Sequence, residues 1–456
     1  MDIKNKVVVI DQDGNVQGIK NEADLLKENA EIEAILNNTI EEKEKEMPVM
    51  MVENEKDRSL KLGVVGLGQA GGRVAEVFYN YGYQTVIINT AIQDLKHIQI
   101  PDHQKMLLEF GLGGAGKNLD TGAEAVIHYS EDILNLLGDQ LGNCEVLVLC
   151  SSGGGGTGSG GCVELAKLMN QLGKLVISLF VLPMASEDAL SKSNTINTLA
   201  KLAQLAASDV ISSLILCDNA KIEMIYPGQS MGAFWKTANK AIVEPLHMFN
   251  ALTAQPSSHI SLDPTDFANV VLSGDCALYG MIELDQNTYT NSDTSIAEAM
   301  VTNLEGGLLA SGFNLKEARK AGVVVVGSAQ ALESISASNM EYGFAMVSKV
   351  CGESVSLYRG VYEDNSFGDT LRIYTWLGGL GLPADRVNEL KDEASKHMQV
   401  LQQKEEDRGS NMRVDLGKNA TVSAADKIHQ QIKNKNSAVS KLTNNVRGNI
   451  VDRRKR

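Results

Sequence analysis

Residues Cys150 to Gly161 read CSSGGGGTGSGG, and they constrain this chain more than any other stretch. The apolar run Val146–Leu149 before them reads as a buried strand. Val163 to Met169 after them carries apolar residues at helical spacing. A strand must therefore end, and a helix begin, within a loop made almost wholly of glycine. At such a junction free backbone N–H groups and the positive end of a helix dipole point at one spot, which suits a phosphate. Glycines let the main chain approach the ligand, and Thr157 and Ser159 add hydroxyl donors. A flexible linker of the same composition would not sit between an apolar strand and an amphipathic helix.

Composition narrows the class. The chain has 456 residues, 43% of them apolar and 22% charged, as in globular proteins with sizeable cores. No apolar run is long enough to span a bilayer and the acidic N-terminus does not resemble a signal peptide, so a cytoplasmic protein without membrane insertion is expected. The six cysteines are scattered, form no CxxC pair, and read as buried reduced thiols. The net charge of −15 is uneven. From Arg408 to Arg456 there are twelve Lys or Arg against three Asp or Glu, a charge of +9, which leaves −24 on the first 407 residues. A basic tail on an acidic body suggests an anionic partner.

Several other loops carry chemistry. Leu62 to Gly66 reads as a strand and leads into Gly66-Leu67-Gly68-Gln69-Ala70-Gly71, a GxGxxG spacing. A dinucleotide enzyme would end its next strand in an acid for the ribose; here Gln84–Ile88 is followed by Asn89-Thr90. Gly111 to Gly116-Lys117 imitates a Walker A loop, but Asn118 stands where that motif needs Ser or Thr. Glu187 follows the strand Leu175–Val181 and Pro183. The strand Ser213–Leu216 ends in Cys217-Asp218-Asn219. The Asn219 amide both accepts and donates, which matches the mixed edge of guanine; taken alone it reads as a helix cap. A long helix over 233–252 carries Asn239 among apolar residues and Pro245, which is expected to kink it. Ser261-Leu262-Asp263-Pro264-Thr265-Asp266 then sets two carboxylates three residues apart. They can accept hydrogen bonds from water and take a proton. Locally, Asp263 also reads as an N-cap with Pro264 at the first helical position.

Gly154 to Gly160 resembles GGGTG[ST]G, the signature loop of the tubulin superfamily, which includes tubulin, the division protein FtsZ and the TubZ-type plasmid and phage tubulins. The remaining loops are similar to that family's, in its order, from about residue 61 to 380. The resemblance implies an α/β fold: a Rossmann-like GTPase domain with a parallel sheet at 59–230, a central connecting helix at 231–254 and a smaller α/β second domain at 255–382. Around this core lie an acidic N-terminal extension (1–58), in which Val7–Ile10 reads as a strand and 22–40 as a helix, a charged C-terminal helix (383–407) and a basic disordered tail (408–456). Within the second domain Gln330–Met340 reads as one helix.

The resemblance also implies GTP or GDP with Mg2+, and no metal ligand from the protein. Nucleotide contacts are expected from Gly68, Gln69, Ala70, Gly71, Gly114, Ala115, Gly116, Gly155, Gly156, Thr157, Gly158, Ser159, Gly160, Glu187, Asn219 and Asn239. Three residues depart from the family pattern: Lys117 and Ser261 each stand where it has Asn, and Ser191, with Lys192 adjacent, stands where it has Arg. Asp263 and Asp266 would be catalytic, acting on the GTP of the neighbouring subunit in a head-to-tail homopolymer. DNA, or a DNA-bound adaptor, is the expected partner of tail 408–456. An FtsZ-like division protein, a regulatory GTP-binding relative that does not polymerise, and a nicotinamide enzyme are the rival readings.

Overall fold

The structure is a computed structural model that describes residues 6–10, 16–21, 58–111, 113–306 and 312–411. The helix expected over 22–40 and the basic tail beyond 411 lie outside these residues. The chain divides into two compact units, 1–395 and 396–456; of the second, only the helical residues 396–411 are described.

Near the N-terminus β1 (Lys6–Ile10) and β2 (Val16–Asn21) pair antiparallel, so the strand expected at Val7–Ile10 is half of a hairpin. The main body is a sheet of ten strands. Its first part alternates strands and helices: β3 (Leu62–Leu67), α1 (Gly68–Asn80), β4 (Gln84–Asn89), α2 (Ile92–His97) and β5 (Lys105–Leu107). After two helices, α3 (Leu119–His128) and α4 (Ser130–Leu141), come β6 (Val146–Ser152), α5 (Thr157–Gln171), β7 (Leu175–Leu182), α6 (Ala189–Ala207) and β8 (Ser213–Asp218). These six strands are all parallel. Parallel strands are covered by helices on both faces, which is why β3, β4, β6, β7 and β8 are near-continuous apolar runs.

From β8 the chain passes through a short α7 (Asn219–Ile225) into the long α8 (Met231–Leu252), which runs through Pro245. Next come α9 (Pro264–Val271), β9 (Cys276–Leu284), α10 (Gln286–Tyr289), α11 (Ser295–Gly306) and β10 (Lys320–Gly327). Then α12 (Ala329–Glu333), α13 (Ala337–Cys351), β11 (Ser356–Glu363), β12 (Leu371–Leu380) and α14 (Ala384–Asn411) complete the described chain. The strand order is β11-β10-β12-β9-β8-β7-β6-β3-β4-β5, with β12 antiparallel to both neighbours. β9 meets β8 through two residue pairs, Leu214 with Cys276 and Ile215 with Ala277, so the parallel and mixed portions make one sheet.

Two expectations need correction. A single helix over Gln330–Met340 is instead two: α12 stops at Glu333, and Ser336 starts α13 by accepting a hydrogen bond from the Asn339 N–H at 3.2 Å. The charged helix expected at 383–407 runs on to Asn411. The core forms around α8, where Phe249 stacks on Phe267 at 5.9 Å and meets Trp376 edge-on. Asn250, fully buried on α8, bonds both the N–H and the carbonyl of Leu60 and so pins the entry to β3. All six cysteines are buried and outside any disulfide, and burial pushes the Cys162 and Cys276 thiols up to about 12. No described helix is long and apolar enough to cross a membrane.

Candidate functional site

A cavity of about 440 Å³ opens where β3, β4, β6, β7 and β8 end, a size that takes a small-molecule ligand. Every residue lining it falls between Gly68 and Asn239. Of the residues singled out in the sequence, Gly68, Gln69, Ala70, Gly114, Ala115, Gly116, Gly155, Gly156, Thr157, Gly158, Glu187, Asn219 and Asn239 line it.

Two of the helices that begin at this cavity begin bare. α1 follows Leu67 and α5 follows Gly156; neither has a side-chain cap, and neither carries an acid in its first turn. Other helices satisfy their first N–H groups with a side chain: Asn118 for α3, Asp188 for α6, Ser230 for α8. Uncapped, acid-free N-termini leave several donors and the positive dipole ends without an anion. Gly68, at φ 73°, makes the turn that brings them together: a Cβ there would lie 2.9 Å from the Gly158 nitrogen. The hydroxyls of Thr90 and Thr157 bond each other at 2.6 Å beside these helix ends.

The polar side chains divide by position. Arg73 and Lys117 are the lining cations. Lys117 ion-pairs with Asp188 and bonds the Ser191 hydroxyl at 2.9 Å; this holds the Asp188 carboxyl below its ordinary range. Asp94 accepts from Gln69 at 3.0 Å and from Asn89 at 3.1 Å. Glu187 accepts from the Met184 N–H at 3.0 Å. Asn219 is 6% exposed, lines the cavity, and makes no side-chain hydrogen bond with the described residues. Its amide is therefore available to a ligand. Trp235 and Asn239 both line the cavity from α8.

Three expected contacts do not line the cavity. A Cβ on Gly71 would fall 2.1 Å from the Cys150 carbonyl oxygen, so this glycine lets α1 lie against β6. Gly160 does the same for α5 against Leu119, again at 2.1 Å. Ser159 is buried and spends its hydroxyl on the carbonyls of Ser152 and Gly153, which folds the glycine loop back on its strand. The amide at the 114–118 loop belongs to Asn118, which accepts from the N–H groups of Asp120 and Thr121 at 2.9 and 3.2 Å; its neighbour Lys117 takes φ 61°.

Asp263 and Asp266 lie outside the cavity, at the start of α9. Asp263 caps that helix by accepting from the Asp266 N–H at 2.8 Å. Tyr362 fixes the loop: its hydroxyl accepts from the Leu262 N–H at 3.0 Å and donates to the Leu262 carbonyl at 2.8 Å. The Asp266 carboxylate makes no hydrogen bond with the described residues, and Ser261 is exposed.

Sequence reasoning missed Arg73, Asp94 and Trp235. The spacing of Trp235 and Asn239, four residues on one helix, carried a signal, since such residues share a face. Arg73 and Asp94 had none beyond their nearness to the glycine loops.

Comparison with known proteins agrees with this geometry. Residues 61–227 match the family model described as the tubulin/FtsZ family GTPase domain. Residues 248–391 match that of the C-terminal domain of tubulin/FtsZ-like proteins of the TubZ type. The chain belongs to the tubulin/FtsZ superfamily. It is similar to the tubulin-like protein TubZ of Bacillus cereus, 25% identical over 371 residues that cover 76% of this chain and 85% of that protein. It is equally similar to the tubulin-like protein CetZ of Thermococcus kodakarensis, 26% identical over 327 residues, 70% of this chain and 81% of that one. Among solved structures, a GTPγS-form protofilament of TubZ from Bacillus thuringiensis serovar israelensis superposes with a TM-score of 0.67 at 19% identity, covering 78% of this chain and 96% of that chain. The GTPγS-bound protofilament of Haloferax volcanii CetZ2 gives 0.62 at 22% identity, covering 75% and 100%. The fold expected from the sequence is thus the fold observed, and the family is one of GTPases.

Proposed function

We propose that this protein binds GTP in the cavity and hydrolyses it at a site completed by a second copy in a head-to-tail filament. One observation carries this reading: two bare helix N-termini meet at one end of a cavity whose other end presents the unsatisfied amide of Asn219. The phosphates of GTP would lie against α1, α5 and residues 114–117. The base would lie among Asn219, Asn239 and Trp235, with Glu187 near the ribose. Described residues hold no group of three metal-ligating side chains, so Mg2+ would ride mainly on phosphate oxygens and water. It would offset the negative charge of the phosphates.

No acid of α9 lines the cavity. The lining acids Asp94 and Glu187 are held by hydrogen bonds from Gln69, Asn89 and the Met184 N–H. In this reading Asp263 and Asp266 act on the GTP of the neighbouring subunit. A carboxylate there accepts a hydrogen bond from water and aligns its oxygen with the terminal phosphorus; the new P–O bond forms as the bond to GDP breaks. A contact that joins two different faces and does not close gives a polymer. The domain limits 59–230, 231–254 and 255–382 remain our division of labour between nucleotide, connector and acids.

For the cargo we favour DNA, met directly or through an adaptor by tail 408–456. The charge of +9 on that tail supports this, as does the match of the C-terminal domain to the TubZ type, one relative of which is described as a plasmid segregation protein. An FtsZ-like division role is the rival, since relatives described as cell division protein FtsZ 1 are also similar to this chain. A second reading, a GTP-binding relative that does not assemble, is favoured by the capping job that already occupies Asp263.

One experiment separates these readings. Phosphate release from GTP is followed against protein concentration with pelleting of the same samples, for the natural chain, Asp266→Ala, Asn219→Ala, and the two variants mixed. Turnover per subunit should rise above a threshold concentration. At GTP concentrations too low to load Asn219→Ala, the mixture should turn over faster than either variant alone, because an intact cavity then meets an intact acid loop. A rate per subunit that stays flat, with no pellet, ends the shared-site reading.

A further inference from the structure

We propose that Arg386, on the C-terminal helix α14, is a positioning residue for guanine recognition: it holds the corner Asp218–Asn219, so docking of α14 and binding of nucleotide favour each other. This inference rests on the reading of Asn219 as a base contact. Asp218 ends β8 and caps α7 through its Oδ1, which accepts from the Ala220 N–H at 3.1 Å. Asn219, between them, is the first residue of α7. Arg386 then grips the same carboxylate with a fork: Nε donates to Oδ2 at 2.6 Å and Nη2 to Oδ1 at 3.1 Å. Both side chains are buried, 7% exposed for Arg386 and 4% for Asp218. Glu389, one turn further along α14, accepts from Arg386 Nη1 at 2.8 Å and steadies the guanidinium.

A surface pair at this place would carry little weight, but a buried carboxylate stripped of its cation is costly. Burial itself pushes the Asp218 carboxyl above its ordinary range, and the Arg386 guanidinium opposes that shift. The corner that presents Asn219 therefore depends on a residue 168 positions later in the chain. A second tie makes the dependence specific to the cavity wall. Glu393 pairs at 3.0 Å with Lys192, which is 2% exposed and also donates to the Ala185 carbonyl, two residues before Glu187. Neither Arg386 nor Glu393 lines the cavity, so both act through residues that do or that adjoin those that do.

Coupling of this kind is reciprocal. The test uses the full chain with GDP, below the concentration at which it pellets. Arg386→Met should raise the GDP dissociation constant about tenfold, the loss expected when a charge-assisted pair no longer fixes a binding group. Arg386→Lys should fall between the two. Asp218→Asn with Arg386→Met should recover most of the affinity, because an amide still caps α7 and needs no counter-ion. In the natural chain GDP should slow hydrogen exchange at the amides of residues 388–393, a response that a merely structural brace would not give. A folded Arg386→Met that binds GDP as the natural chain does would overturn the proposal. So would a folded double variant as weak as the single one. If the single variants do not fold, the exchange measurement decides: no slowing with GDP overturns it. A natural chain that binds ADP as well as GDP would instead overturn the reading of Asn219 beneath it.

Discussion

The N-termini of α1 and α5 and the N-terminus of α9 solve the same problem in opposite ways. The first two leave their opening N–H groups uncapped and keep acids out of the first turn. The third spends Asp263 on its own backbone and keeps Asp266 beside it. An end built to receive an anion must stay bare, while an end that offers carboxylates must first be satisfied within its own chain. The difference separates a binding region made of main chain from an acid loop made of side chains. It also separates the two acids: Asp263 has a local job, and Asp266 does not.

The largest effect expected is on the main-chain region. Gly71→Ala places a methyl group 2.1 Å from the Cys150 carbonyl oxygen, and Gly160→Ala places one 2.1 Å from that of Leu119. Backbone cannot yield as a flexible side chain can, so each should cost about 4 kcal/mol in a urea unfolding series. Gly155→Ala meets nothing within 4 Å. It should unfold like the natural chain and lose GTP affinity only. Equal destabilisation by all three would dissolve the division between packing glycines and ligand-facing ones.

The acid loop should show the reverse pattern. Asp266→Asn should leave unfolding within about 0.5 kcal/mol of the natural chain and lower GTP turnover about a hundredfold. Asp263→Asn keeps a cap and should also spare stability, whereas Asp263→Ala should cost about 1 kcal/mol. If Asp263→Asn and Asp266→Asn turn over GTP normally, the capping role is the whole role of this loop.

Much of the cavity was legible because backbone approach demands glycine at fixed spacings. Gly155 to Gly158 and Gly114 to Gly116 announced themselves in that way. At Gly71 and Gly160 the glycine lets a neighbouring backbone come close and does not line the cavity; one string of letters cannot tell the two uses apart. Apolar runs such as Val146–Leu149 gave the parallel strands, since a strand covered on both faces needs no alternation. The break between α12 and α13 was hidden because Ser334-Ile335-Ser336 keeps a helical apolar rhythm while Ser336 caps. The pair of Asp218 and Arg386 was not legible at all, because no local rule connects residues so far apart in sequence.

A smaller effect tests the far end of the cavity. Asn219→Ala removes an amide that no described residue satisfies, so unfolding should not change. The preference for GTP over ATP in a competition assay should fall about tenfold, the worth of one or two buried hydrogen bonds. An unchanged preference would move base recognition to Asn239 and Trp235.

The smallest effect belongs to α6, whose N-terminus at the cavity rim is capped and so lies between the two extremes. Asp188 accepts from the Ser191 N–H at 2.9 Å and pairs with Lys117 of the facing loop. Lys117, then that backbone bond, holds its carboxyl below the ordinary range. A carboxyl of lowered folded pKa binds fewer protons in the folded state than in the unfolded chain over the window between the two values. Its contribution is therefore present above the ordinary carboxylate range and is lost as pH falls through the folded value. The side chain is 58% exposed, so solvent screening limits the gain to about 0.3 kcal/mol. Asp188→Asn keeps the cap and removes the charge. Its unfolding free energy should converge on that of the natural chain as the pH is lowered from about 6 to 3. Parallel curves across that range would mean that Lys117 gains nothing from Asp188, and that the 114–117 loop is held by the bond from Asn194 to the Lys117 carbonyl instead.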